Sequence, residues 1–305
     1  MFSKPKILTN EPLAKHLTMR VNQVAKFFIE VKSTDELFKS IAWAKKQKQP
    51  FFILGGGSNI VFIHDYPGLV IKISINEIKI LHTSDKEVES QVSSGTPVSI
   101  LITKTIEMGL SGFEYHQGLP GTVGGAIFMN AKWTKPTIYF SDRLINATLL
   151  TKAGKLKKVD KDYFKFAYDY SILHTTGEII LDATFCLTKK NSNQLKKIAL
   201  SSLNYRKITQ PFGVATSGCF FQNIRKEDQV RQNLPTNSAG YLIDKCGLKN
   251  YQVGGFRVSP IHANFIVNTD KQNSKSSDLI KLIKYIKSKA KEKFNISLKE
   301  EVQLL

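Results

Sequence analysis

GLPGTVGGAIFMN, residues 118–130, is the stretch around which the rest of the chain is read. Its first eight residues hold four glycines and one proline, which neither a helix interior nor a strand interior tolerates. The run then turns apolar through Ala126, Ile127, Phe128 and Met129, as a loop entering a buried element does. An earlier stretch, FFILGGGSNIVFI at 51–63, has the same plan: a short apolar strand, a glycine loop closed by Ser58 and Asn59, and a second strand. Two such loops suit a cradle for a large anionic cofactor, whose phosphates would meet bare backbone N–H groups. Tight turns in inert proteins use the same residues, so the weight lies in the pair together with its flanks.

With 305 residues the chain can bury a large core and divide into two or three domains. Met1–Pro12 has no apolar core of the signal-peptide kind, and no apolar run approaches the ~18–20 residues of a membrane span, so a cytoplasmic protein without a membrane segment is expected. Three cysteines, Cys186, Cys219 and Cys246, lie far apart with no C-x-x-C pair, which argues against a disulfide framework and a zinc site. The histidines His16, His64, His82, His116 and His174 show no metal-ligand spacing, and no metal is expected. The formal charge of +19 comes mostly from lysines spread along the chain, with only six arginines. A nucleic-acid binder would concentrate arginine in a patch or a motif, so no nucleic-acid partner is expected; the positive field would still attract anionic ligands.

Taken in order, residues 17–31 end in a strand. Ser33–Gln47 reads as a helix with a Ser33/Glu36 capping box and Leu37, Ile41 and Ala44 on one face. Strands are expected at 51–54, 60–63, 68–73, 87–93, 144–151 and 178–187, and a helix at 98–108 stopped by Gly109. KWTKPTIYFSD, which follows Asn130 and Ala131, fits no pattern, and YFKFAY looks helical. A polar, helix-prone bridge over 191–206 leads to a second region with the helix SAGYLIDKCGL (238–248), the strand-like HANFIVN (262–268), an amphipathic helix Ser277–Phe294 and a closing strand LKEEVQLL (298–305).

With these blocks in place the sequence closely resembles the UDP-N-acetylenolpyruvoylglucosamine reductase (UDP-N-acetylmuramate dehydrogenase) family. The resemblance rests on ILGGGSNIVF, GFEYHQGLPGTVGGAIFMNA, YDYSIL, TQPFGVATSGCFFQN, SAGYLIDKCGLKNYQVGG, VSPIHANFIVN and LKEEV, in the family's order. It implies an α+β fold: an FAD-binding domain of the vanillyl-alcohol-oxidase/PCMH type, in two α+β subdomains (1–80 and 81–198), and a C-terminal α+β substrate-binding domain (199–297), followed by the closing strand 298–305. It implies bound FAD held by Leu54, Gly55, Gly56, Gly57, Ser58 and Asn59 on one loop and by Gly118, Pro120, Gly121, Thr122, Gly124, Gly125 and Ala126 on the other. NADPH would reduce the flavin, and UDP-N-acetylglucosamine enolpyruvate would then accept hydride to give UDP-N-acetylmuramate for peptidoglycan. A monomer is expected. Hydride addition to the far vinyl carbon leaves negative charge beside the carboxylate, which needs stabilisation and a proton. The family's proton-donating serine matches Cys219, its assisting glutamate matches Glu301, and Asn223 matches a substrate contact. Tyr168, His262 and Asn264 are further expected substrate-side residues.

Departures accompany the resemblance. A thiol replaces the hydroxyl at Cys219; it is far more acidic, with a reference pKa of ~8.5. Asp169 stands where the family usually has arginine facing the substrate carboxylate, so Arg143, Arg206 or a lysine would have to supply the cation, or turnover would suffer. Asn22 and Gln23 replace a Gly-Gly pair, KWTKPTIYF replaces a glycine-rich continuation, and Gln303 replaces an arginine of some members. Cys186 and Cys246 are expected in the core. Two alternatives stay open: a flavoprotein of the same fold with another substrate, and a non-catalytic nucleotide-sugar-binding relative.

Overall fold

The computed structural model describes residues 6–305; residues 1–5, the start of the segment expected to lack a signal-peptide core, lie outside the described part. The chain forms two compact units, each assembled from distant segments. The first comprises the described part of Met1–Ile7, with Phe28–Gly56 and Gly68–Tyr205; the second comprises Leu8–Phe27, Gly57–Pro67 and Arg206–Leu305. Among the described residues no helix is long and apolar enough to cross a membrane.

In the first unit Ser33 caps the helix Thr34–Lys46, its side chain accepting from the Glu36 N–H at 3.1 Å. The return arm differs from a standard capping box: the Glu36 carboxylate accepts from the Lys32 N–H at 2.7 Å, one residue further out. Leu37, Ile41 and Ala44 are buried, as their spacing predicts. The strand Phe51–Leu54 runs parallel to Tyr66–Ile73, in register from Phe51 opposite Leu69 to Leu54 opposite Lys72, and delivers the chain into the first glycine loop.

A larger antiparallel sheet follows, in the order Leu156–Asp160, Leu144–Leu150, Ile179–Lys189, Glu87–Ser93, Ile78–Thr83, with Leu110–Ser111 also pairing with Ile179–Lys189. Its core gathers Phe113, Phe140 and Phe185, with ring centroids 4.8 and 5.0 Å from Phe113, together with the buried face of the helix Val98–Glu107. Two of these strands have no sequence signal. Ile78–Thr83 is an edge strand with mostly exposed side chains, and Leu156–Asp160 buries one residue, so neither shows the alternation that marks a half-buried strand. The unclassified KWTKPTIYF is a hairpin, Lys132–Thr134 with Thr137–Tyr139. YFKFAY is helical only in the short 3-10 turn Lys161–Phe164.

The second unit has a sheet in the order Ala215–Cys219, Phe265–Asn268, Phe256–Val258, Gln252–Val253. The helix Ser276–Phe294 buries Leu279, Leu282, Ile283, Ile286 and Ala290 in the core that holds Phe220, Phe221, Ile243 and Phe256. Asn22 and Gln23 have an evident use here. Asn22 Nδ2 donates to the Gln272 carbonyl at 2.6 Å and Gln23 Nε2 to Ser276 Oγ at 3.0 Å, fastening the N-terminal segment to the start of that helix. The closing segment is shorter as a strand than expected: Gln303–Leu304 runs parallel to Ile60–Val61, and Glu300 makes an isolated bridge with Phe221.

Candidate active site

In the first unit the two glycine stretches meet backbone to backbone. A Cβ on Gly56 would lie 2.5 Å from Gly121 Cα, and one on Gly55 would lie 2.7 Å from Thr122 Oγ1. Only glycine permits that approach. The second stretch is pinned from behind: Val123 N–H donates to the Thr96 carbonyl at 2.9 Å, Gly124 N–H to the Ser94 carbonyl at 2.8 Å, and the Gly121 carbonyl accepts from Val98 N–H at 3.0 Å. Thr122 caps Val123–Phe128, its hydroxyl accepting from Gly125 N–H. Among the described residues the amides of Gly56 and Gly121 donate to no protein acceptor. Fixed, side-chain-free loops with spare amides fit the diphosphate of FAD.

In the second unit the first glycine loop continues. Gly57 sits at φ +64°, where a Cβ would run into the His16 carbonyl, and its own carbonyl accepts from Thr18 N–H at 3.0 Å. Asn59 Nδ2 donates to the Glu301 carbonyl at 3.3 Å, and the Asn59 carbonyl accepts from Gln303 N–H at 3.0 Å. Cys219 ends its strand opposite Phe265, after a register shift that includes Gly218 at φ +86°. The carbonyl of the next residue, Phe220, accepts from Glu301 N–H at 2.9 Å, and Gln222 N–H donates to the Lys299 carbonyl at 2.9 Å. The closing segment therefore lies between the Asn59 end of the first glycine loop and the Cys219 strand, and brings the expected pair Cys219 and Glu301 to adjoining backbone.

The other second-unit residues gather around the same strand. Asn264, 3 % exposed, clamps Phe221: its Oδ1 accepts from Phe221 N–H at 2.9 Å and its Nδ2 donates to the Phe221 carbonyl at 2.7 Å. One N–H and one lone pair of that amide are not used in the clamp. His262 Nδ1 accepts from Asn264 N–H at 3.3 Å, and Asn223 Oδ1 accepts from the Ala239 N–H at 3.1 Å. Tyr168 belongs to the first unit, where its ring lies under the Lys132 ammonium at 3.4 Å from the centroid.

Arg206 adds a group that the sequence offered only as one of several cations. It is 7 % exposed, and burial pushes its pKa down to about 10, while the neighbouring Cys219 sulfur opposes that fall. It stays charged at neutral pH, within electrostatic reach of the thiol. Arg143, the other arginine considered, sits beside Gly112 and Cys186 in the first unit. Cys186 and Cys246, expected in the core, are only partly buried: one lies on a strand near Glu87 and Glu89, the other near Lys289 and Lys293.

Burial, helped by Lys249, lowers the pKa of His262. Its folded pKa therefore lies below the unfolded value of about 6.5, so the unfolded chain takes up the proton first. Stability is full above that unfolded value and is lost as pH falls through the folded one. Urea unfolding at pH 7.5 and pH 5 should show this acid-side loss reduced in His262→Asn, whose Oδ1 can keep the bond from Asn264; an unchanged difference would place the acid sensitivity elsewhere.

Comparison with known proteins bears on these two units. A family profile described as the FAD binding domain matches residues 25–160, and one described as the UDP-N-acetylenolpyruvoylglucosamine reductase C-terminal domain matches residues 210–305. The UDP-N-acetylenolpyruvoylglucosamine reductase of Bacillus pumilus is 32 % identical over 98 % of this chain and 94 % of its own length. The chain belongs to that reductase family. The Chlamydia trachomatis member is 35 % identical over 96 % of this chain and 94 % of its own. The crystal structure of the Thermus caldophilus reductase superposes with a TM-score of 0.79 at 25 % identity, covering 99 % of both chains. As a reductase-family member with an FAD-binding domain, the protein is an FAD-dependent oxidoreductase of the expected α+β fold.

Proposed function

We propose that this reductase converts UDP-N-acetylglucosamine enolpyruvate to UDP-N-acetylmuramate with NADPH as the electron source, a step of peptidoglycan synthesis on which cell-wall growth, cell shape and division depend. The observation that carries the reading is the seating of the closing segment, which sets Glu301 against the residue after Cys219. The glycine-loop residues 54–59, with Gly118, Pro120–Thr122 and Gly124–Ala126, would hold FAD. A subdomain division near residue 80 is supported by the separate sheets on either side of Ile78.

FAD, when bound, supplies hydride (received from NADPH) to the far vinyl carbon of the substrate. The neighbouring carbon gains an electron pair, and Cys219 delivers its Sγ–H proton there, forming the new C–H bond. The resulting thiolate is held by Arg206, and Glu301 returns a proton to it from solvent. Asn223, His262 and Asn264 of the second unit position the nucleotide sugar, and Tyr168 of the first unit is a further substrate-side residue. NADPH and nucleotide sugars are cytoplasmic metabolites, so the reading places the protein in the cytoplasm, acting as a monomer.

Purified protein should be yellow. In a stopped-flow trace NADPH should bleach the flavin absorbance and the UDP substrate should restore it. Bleaching without restoration would assign the fold another substrate, and a colourless protein that does not take up FAD would remove the reading.

A further inference from the structure

Asp169 lies in a tight turn in the first unit. Ala167 and Tyr170 exchange hydrogen bonds of 3.1 and 3.3 Å across it, leaving Tyr168 and Asp169 at its tip. The base is clipped on both sides to the end of the central glycine stretch: Asn130 Nδ2 donates to the Ala167 carbonyl at 3.0 Å, and Ser171 Oγ to the Phe128 carbonyl at 2.7 Å. These bonds hold the turn without help from the side chains at its tip.

Those side chains are nonetheless arranged at a cost. Asp169 sits at φ +50°, a left-handed backbone that a non-glycine residue adopts under strain. Its side chain is only 10 % exposed. Oδ1 meets the Lys132 ammonium at 3.5 Å, long for a charge-assisted bond. Oδ2 is buried with no hydrogen-bond partner among the described residues. Burial raises the carboxyl's pKa, while Lys132 and Tyr168 pull the other way. Lys132 is itself mostly buried and rests over the Tyr168 ring. A carboxylate oxygen left bare in the interior is costly, and persists where something else fills it.

We propose that Tyr168, Asp169 and Lys132 form a recognition site for a neutral N–H or O–H donor that the ligand carries close to a negative group, Asp169 Oδ2 accepting from the donor and the Lys132 ammonium meeting the charge. The inference rests on the reductase reading, which supplies two ligands of this chemistry. The enolpyruvyl sugar has hydroxyls and an amide near its carboxylate and diphosphate; NADPH has a carboxamide and ribose hydroxyls near its phosphates. An acceptor at this position selects a donor, the reverse of what an arginine there would select.

The test uses the flavin-loaded enzyme and two variants. Asp169→Gly removes the carboxylate while tolerating the left-handed backbone; Lys132→Met removes the charge and keeps the stem. Affinity is read in separate arms: for NADPH from the concentration dependence of flavin bleaching, for UDP-N-acetylglucosamine enolpyruvate from calorimetric titration of the oxidised enzyme. Asp169→Gly should weaken one arm by about tenfold or more, the loss of one buried hydrogen bond to a charged group, with Lys132→Met weakening the same arm and the other arm unchanged. The affected arm identifies the ligand. No change in either arm, or an equal loss in both, would overturn the proposal by making the pair a structural contact. A wild-type enzyme that binds neither ligand would remove the reductase reading and this inference with it.

Discussion

Cys219→Ala is expected to leave NADPH-driven bleaching of the flavin at its wild-type rate and to slow reoxidation by the UDP substrate ~10²–10⁴-fold, the range over which a positioned proton donor acts. The split between phases is the informative part. Reduction by NADPH needs no proton from this thiol, whereas quenching of the carbanion-like carbon does. Cys219→Ser should recover much of the second phase, since a hydroxyl can donate from the same place. Its recovery should be incomplete where Arg206 matters, because an alkoxide is harder to form than a thiolate beside the same guanidinium. Equal slowing of both phases in Cys219→Ala would mean that the residue shapes the pocket and does not move a proton.

Gly56→Ala should purify without flavin. The added methyl lies 2.5 Å from Gly121 Cα and 3.0 Å from its carbonyl carbon, so the two loops must separate. Overpacking of this kind costs ~1–3 kcal/mol in stability. The larger effect falls on FAD, because moving the Gly121 loop displaces amides that the Thr96 and Ser94 contacts otherwise hold in place. Gly154→Ala is the control. Gly154 sits at positive φ but has nothing within 4 Å of the new atom, so that variant should lose a little stability and keep its colour. The ratio of flavin to protein absorbance reads both variants, and a fully yellow Gly56→Ala protein would show that the loops do not grip the cofactor.

Elements with a strong local signature were legible in the sequence. The Ser33 cap, the Leu279–Ala290 face and the strand Glu87–Ser93 stand where spacing and caps place them, because one buried face fixes the period. The exposed edge strand Ile78–Thr83 and the Lys132–Tyr139 hairpin were not, because little in their own side-chain pattern marks a buried face. For the site, the glycine stretches and the adjacency of Cys219 to the closing segment could be expected from the family's blocks. The electrostatic reach between Arg206 and Cys219 could not: no spacing within NYRKITQ relates a helix residue to a sulfur thirteen positions on. Asp169 and the hairpin carrying Lys132 each looked like an erosion of the family pattern, and only their juxtaposition makes them a pair.

The closing segment has a consequence for how the enzyme comes into being. Residues 299–303 complete hydrogen bonds on both Asn59 and the Phe220–Gln222 stretch, so a partner made early in synthesis waits for one made late. On the ribosome the part of the flavin loop at residues 57–59 therefore emerges well before the segment that fastens it. A nascent chain, or one clipped by a protease ahead of residue 299, would then have this end of the loop unfastened and lack the Glu301 carboxylate.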